Sequence, residues 1–304
     1  MKKKTFNILS YILAGLIRLL SWLPLRVLYV LADFLAFLMA DVIRYRKKVV
    51  LHNLRNAFPE KKGKEIRRIA RGFYRHLADV VVETIKLLHI SDDEVRRRCR
   101  LSEETRDLVQ SYYDNGQSFI GLLGHYGNWE WVPAVTSINL PFNVVPAYRP
   151  LKDQVFDKLM IKLRGRFSHE LVPKNNVGRT VVRHLKDENP FIMGLIADQT
   201  PNPDHAYWTT FLSQDTPVNA GPEKLARRMN MPVFFVALRR VRRGQYELHG
   251  EKISDTPSET TEGELSKQFM ALLEREIRQS PAHWLWSHRR WKHRRPENKD
   301  AANR

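Results

Sequence analysis

The chain has 304 residues, 43% of them hydrophobic, enough for one large domain or two small ones, and one domain with appendages is expected. Its 51 lysines and arginines outnumber 33 aspartates and glutamates, leaving a formal charge of +18 that calls for a polyanionic partner or surface: nucleic acid or anionic lipid. A single cysteine excludes an intramolecular disulfide and fits a reducing compartment, and Cys99, set in the basic run Arg96–Arg100, reads as an inert thiol.

The first elements are apolar. Phe6 to Leu23 is broken only by Arg18, and after Pro24 a second stretch, Val27 to Ile43, carries Asp33 and Asp41. The first stretch reaches about the minimum length for a spanning helix, and no signal-peptide cleavage site follows it. Lys2, Lys3 and Lys4 precede the pair, and Arg44, Arg46, Lys47 and Lys48 follow it, so both ends read as cytoplasmic. That symmetry suits a helix pair dipping into one leaflet, or one tilted transmembrane anchor followed by an amphipathic surface helix. Residues 1–43 are therefore expected to anchor the protein to a membrane, and the basic surface to meet anionic lipid headgroups in preference to nucleic acid.

Residues 44–115 read as an all-helical lead-in, with Leu51, Leu54 and Phe58 at helical spacing, a stop at Pro59, and resumption at Ile66, Ile69 and Phe73. Beyond it, short apolar runs at 118–124, 142–147, 191–197 and 231–238 predict buried strands. Helical patterns lie between them at 154–163, 177–186 and 222–228, and an amphipathic helix follows at 262–277. The alternation predicts an α/β fold, a central mostly parallel or mixed sheet flanked by helices, in one domain over 44–295 whose α/β part is 116–295. The Trp- and Arg-rich segment 283–295 reads as an interfacial belt, and 296–304 as a disordered tail.

Chemistry concentrates in Gly124-His-Tyr-Gly-Asn-Trp-Glu130, after the first predicted strand. The carboxyl edge of such a sheet is where ligands bind. A His and a Glu five apart point about 140° from each other on a helix, so contact between them needs a bend, which Gly124 and Gly127 permit. His125 would then serve as general base toward a hydroxyl, with Glu130 accepting its other ring N–H. No Gly-x-Ser-x-Gly elbow exists, which favours direct transfer from a thioester over an acyl-enzyme.

The segment Gly124 to Glu130 resembles the His-x4-Glu form of the signature shared by glycerolipid acyltransferases, and specifically the bacterial lipid A late acyltransferases. Arg44-Tyr-Arg-Lys-Lys, Asn53-Leu-Arg-Asn-Ala-Phe-Pro59, Tyr148-Arg-Pro150, Ala197-Asp-Gln199, Gly221-Pro-Glu-Lys-Leu-Ala226 and Trp284-Leu-Trp-Ser-His-Arg-Arg290 follow in the family's order. The resemblance implies an enzyme of the bacterial inner membrane, facing the cytoplasm. Its acyl donor would be acyl carrier protein or coenzyme A, its acceptor a hydroxyl of a lipid A precursor, with no cofactor and no metal. It also implies an active-site role for Arg149 and an acceptor-positioning role for Asp198, with Gln199 beside it. Asn128 either supports the turn or reaches substrate, and Glu223 reads as a helix-start carboxylate with a structural part. An acyltransferase for another polar lipid, and a non-catalytic protein that binds membrane or nucleic acid through its basic helices, remain as alternatives.

Overall fold

A computed structural model describes residues 8–187 and 189–295. The helical lead-in runs α1 (Ile8–Leu20), α2 (Leu25–Phe37), a π-helical turn (Leu38–Val42), α3 (Lys47–Ala57), α4 (Gly63–Lys86) and α5 (Asp92–Arg98). Then come β1 (Cys99–Leu101), α6 (Glu103–Asp114), β2 (Phe119–Gly127), α7 (Val132–Asn139), β3 (Asn143–Tyr148), α8 (Gln154–Gly165), β4 (Val172–Pro173) and α9 (Val177–His184). The last part comprises β5 (Phe191–Ile196), the hairpin β6 (Ala206–Phe211) and β7 (Gln214–Asn219), α10 (Gly221–Met229), β8 (Val233–Arg242), β9 (Gln245–Ser254) and α11 (Glu264–Gln279). Side chains of Ser91, Ser102 and Asp153 cap α5, α6 and α8 by accepting from the first-turn N–H groups.

Seven strands make one sheet in the order β1-β9-β8-β2-β5-β3-β4, with β6 and β7 paired apart from it. Only the β8–β9 pairing within it is antiparallel, so the sheet is mixed and the fold α/β, as predicted. The four apolar runs became β2, β3, β5 and β8 at the centre. β9, which alternates buried and half-exposed positions, is not a continuous apolar run and escapes that reading. β1 corrects the all-helical lead-in: three residues pair in parallel with Tyr246–Leu248 at the sheet edge. One sheet face carries Ile120, Leu122 and Phe235 into a core with α3, α4 and α11. The other carries Phe119, Leu123 and Phe234 into a core with α2, α6 and α7.

Of the two anchoring modes expected for residues 1–43, a helix that crosses the membrane is not borne out. Among the described residues no helix is long and apolar enough to cross a membrane. Ser21 and Pro24 end α1 at 13 residues, about 20 Å against a hydrocarbon core of about 30 Å. α2 is committed inward on one face, where Leu25, Leu28, Ala32 and Ala36 are buried, and its Asp33 pairs with Arg243 at 2.8 Å. The opposite faces stay open: Ile8 and Trp22 are 69% exposed and Phe34 60%.

The interfacial belt expected at 283–295 is also corrected. Trp284 and Trp286 are buried in the core, since each indole N–H finds an internal acceptor, Asp198 at 2.8 Å and the Pro281 carbonyl at 2.6 Å. Asn53 Nδ2 donates to the carbonyls of Trp286 and His288, both at 2.9 Å, and Arg46 to that of Ser287 at 3.0 Å, so α3 clamps this segment. The disordered tail expected at 296–304 and the leading lysines lie outside the described residues.

Candidate active site

β2 pairs in parallel with β5 up to Leu123 opposite Ile196, and the Ala197 N–H still donates to the Leu123 carbonyl at 3.0 Å. The next residues on each chain are thereby brought side by side. His125 Nδ1 lies 2.6 Å from Asp198 Oδ1, and the His125 backbone N–H donates to Asp198 Oδ2 at 2.8 Å. Trp284 Nε1 donates to the same Oδ2, and a short antiparallel bridge to Tyr126 holds Trp284 there. Asp198 is 2% exposed and accepts from three N–H groups, while His125 keeps 16% of its side chain open. Gly127 ends the strand at φ +59°, where a Cβ would fall 1.8 Å from the Leu238 carbonyl oxygen, so only glycine fits.

Burial alone would depress the imidazole's pKa; the Asp198 charge and hydrogen bond, with a smaller share from Glu130, overcome it and hold His125 above its ordinary value. Burial pushes Asp198 up, and the imidazole and the N–H donors outweigh it to bring the carboxyl down to about 2. An ionised Asp198 accepts the proton of Nδ1, which leaves the lone pair of Nε2 for chemistry. Gln199 Nε2 sits 3.2 Å from that atom.

Glu130 does not take the expected place beneath the imidazole. Its carboxylate is held by Arg164 of α8 in a two-pronged pair, Nε to Oε2 at 3.0 Å and Nη2 to Oε1 at 2.7 Å. A planar guanidinium offers two parallel donors where an imidazole offers one, so the fork prevails. Asn128 is likewise corrected as a substrate contact. It is fully buried and donates to Glu83 Oε2 at 2.6 Å, while Asp198 lies under His125 and not on the substrate side.

α4 supports the whole turn. Glu83 accepts from Asn128, Tyr29 and Tyr246, at 2.6, 2.7 and 2.6 Å, and its carbonyl accepts from Trp131 Nε1 at 2.9 Å. Seven residues earlier on the same helix face, His76 Nε2 donates to the Gly127 carbonyl at 3.0 Å. Burial pushes Glu83 up to about 7. A glutamate directly after Val80-Val81-Val82 was the sequence signal for this buried carboxylate. Arg164, at the end of an ordinary amphipathic helix, gave none. Arg290 is a further buried cation near Asp198; none of its guanidinium nitrogens has a partner among the described residues, and burial brings its pKa down to about 10. Glu223 is structural as read, accepting from the Gly263 and Ser266 N–H groups at the start of α11.

His125, Trp129, Glu130, Arg164 and Gln199 line a cavity of about 1630 Å³. Its inner part is apolar, bounded by the sheet face and by α6 and α7. Its mouth is basic: Arg149, Lys152, Lys174, Arg179, Lys224 and Arg228 line it, exposed and without acidic partners among the described residues. The sheet edge thus gathers His125, Glu130, Arg149, Asp198 and Gln199, with Asp198 and not Glu130 hydrogen-bonded to the imidazole.

An imidazole with an unprotonated Nε2, a deep apolar space and a cationic mouth suit acyl transfer onto an anionic acceptor. Residues 2–293 match the family described as bacterial lipid A biosynthesis acyltransferase. The chain is 24% identical over 286 residues to a lipid A biosynthesis palmitoleoyltransferase of Escherichia coli (strain K12), covering 91% of this chain and 88% of the relative. It is equally similar, over the same span, to a lipid A biosynthesis acyltransferase of Shigella flexneri. With the family match extending over nearly every residue that builds the site, the protein belongs to the bacterial lipid A biosynthesis acyltransferases and is an O-acyltransferase.

Proposed function

We propose that the protein moves a fatty acyl chain from the thioester of acyl carrier protein or coenzyme A to a hydroxyl of a lipid A precursor, with His125 as general base oriented by Asp198. The observation that carries this reading is the His125–Asp198 pair at the junction of an apolar cavity and a basic mouth. Nε2 takes the hydroxyl proton as the oxygen attacks the thioester carbonyl. The tetrahedral intermediate collapses with loss of the thiolate, which regains the proton from the imidazolium. Asp198 stabilises that imidazolium without becoming protonated. Arg149, and Arg164 as held by Glu130, supply positive charge for the oxyanion or for donor and acceptor phosphates.

The site works at the cytoplasmic face of the inner membrane, attached without crossing it. α1, α2 and the turn between them point Ile8, Ile12, Leu19, Trp22, Val30 and Phe34 outward, with Arg18 and Arg26 among them and Arg44 just beyond, a composition that suits the headgroup boundary of anionic lipid. Ser10 of α1 donates to Asp153 at 2.7 Å at the start of α8, next to Lys152 of the mouth. An acceptor lipid therefore has a short path from bilayer to base.

The test is purified protein with acyl carrier protein loaded with a labelled acyl chain and a lipid A precursor. Transfer is expected, and His125→Ala is expected to reduce it by about 10²- to 10⁴-fold or more with folding unchanged. Absence of transfer to every lipid acceptor would overturn the reading. Replacing Ile12, Leu19 and Trp22 together by Ser is expected to abolish cosedimentation with anionic vesicles while leaving the thermal midpoint nearly unmoved; undiminished cosedimentation would refute the attachment face.

A further inference from the structure

The apolar part of the cavity holds an arrangement that the catalytic reading does not require. Along β2 the side chains facing it are Phe119, Gly121, Leu123 and His125, every second residue of the strand. Gly121 stands opposite Gly194 of β5 on one side and Phe234 of β8 on the other. Gly194 in turn stands opposite Pro146 of β3. A glycine in a central strand is a loss, since it adds backbone entropy and packs nothing.

Nothing in the backbone explains the loss here. Neither Gly121 nor Gly194 has a positive φ, the conformation that glycine alone adopts freely. A Cβ at Gly121 would sit at ordinary contact distances, 3.5 Å from Val236 and 3.6 Å from Ile192, and one at Gly194 would sit 3.5 Å from Pro146. What the pair provides is the absence of side chains on the cavity face, a channel across the middle of the sheet. Val109 of α6, Val132 and Thr136 of α7, and Leu140 directly after α7 close it from above.

The far end is shut by rings. Phe119 lies 4.6 Å from Phe234 and 5.3 Å from Phe142, and Tyr112 meets Phe234 edge-on at 4.9 Å. From His125 to Gly121 the strand advances about 13 Å, and to Phe119 about 20 Å, the reach of a long fatty acyl chain. Resting on the acyl-transfer reading, we infer that the donor's acyl chain lies over the Gly121–Gly194 pair with its methyl end stopped at Phe119 and Phe234, and that these four residues set the chain length accepted. Gly121 and Gly194 act as specificity-determining residues: they decide which chain reaches the base in register, without taking part in bond making.

The test is a competition among saturated acyl donors of graded length. It is paired with displacement of a fluorescent fatty acid by free fatty acids of the same lengths, which needs no transfer. Gly121→Leu fills the channel and is expected to move both optima to shorter chains, with discrimination of about tenfold per excess methylene. Gly121→Ala, whose added methyl is accommodated without a clash, is expected to shift them in the same direction by less, and it serves where the larger side chain impairs folding. Phe119→Leu opens the end and is expected to move them the opposite way. Length profiles that keep the wild-type optimum in Gly121→Ala and Phe119→Leu, with rates lowered equally for every chain, would overturn the inference. If the wild type transferred nothing, the acyl-transfer reading would fail, while the displacement series would still decide whether the channel measures chains.

Discussion

Two stretches of chain bring a carboxylate to the neighbourhood of one imidazole, the turn Gly124–Glu130 and the strand end Ala197–Gln199. Glu130 comes from the same segment as His125, and Asp198 from 73 residues away. The distant group makes the hydrogen bond, because the parallel register that sets Leu123 opposite Ile196 also sets the residues two places on, His125 and Asp198, beside each other. The nearby group is carried by the turn toward α8 and is neutralised there by Arg164. Their surroundings differ to match: Asp198 is sealed under three N–H donors, whereas Glu130 keeps 13% of its side chain open at the cavity wall. A sealed carboxylate with fixed donors suits tautomer control, and a half-open ion pair suits contact with substrate.

The largest effect that would break this contrast is at Asp198. Asp198→Asn is expected to lower kcat by about 10⁴-fold, as loss of the orienting carboxylate does in other hydroxyl-activating sites. The pH dependence supplies a second readout. A general base must be neutral, so the wild-type rate rises with pH through the raised pKa of His125, with its midpoint above 6.5. Removing the Asp198 charge leaves burial as the dominant influence and is expected to move that midpoint down. The Asp198 contribution to stability also rises with pH: a carboxyl held at about 2 against 3.8 contributes stability that is complete above the higher value and lost as pH falls through the lower. An unmoved kinetic midpoint in Asp198→Asn would return the orienting role to Glu130. Glu130→Gln ranks next, with an expected loss of about 10-fold to 10²-fold in kcat/KM as Arg164 loses half its fork, a raised KM, and a kinetic midpoint lowered only slightly, since Glu130 is a lesser contributor to the His125 shift.

The sequence exposed the participants more readily than their pairing. His125, Glu130, Arg149, Asp198 and Gln199 can all be singled out, because residues at the carboxyl ends of apolar strands carry ligands in α/β sheets. Which carboxylate meets which base depends on strand register, and register follows from how the intervening chain crosses over, which periodicity does not encode. Asn128 and Glu83 illustrate the same limit, since a buried amide and a buried acid find each other across 45 residues. The two ends of the chain add a further case. Both combine apolar or aromatic residues with arginine, yet the turn after α1 leaves Trp22 69% exposed while Trp286 is fully buried. Composition alone cannot tell these apart; the acceptors waiting at Asp198 and Pro281 can, and they lie far away or across a turn.

The smallest expected effect belongs to Gln199, which shares the strand end with Asp198 but faces the opposite nitrogen. Its amide nitrogen stands 3.2 Å from His125 Nε2, the atom proposed to receive the acceptor's proton. An acceptor hydroxyl needs that same position, so Gln199 must yield it when substrate arrives. Its value is then in guiding the hydroxyl, not in stabilising the imidazolium. Gln199→Ala is accordingly expected to change kcat by less than about tenfold and to act mainly on the acceptor KM, as a neutral hydrogen bond worth about 1 kcal/mol would. Measured against varied acceptor at saturating donor, a loss as deep as that of Asp198→Asn would place Gln199 within the proton-transfer machinery. It would then erase the distinction between the sealed side of the imidazole and the open one.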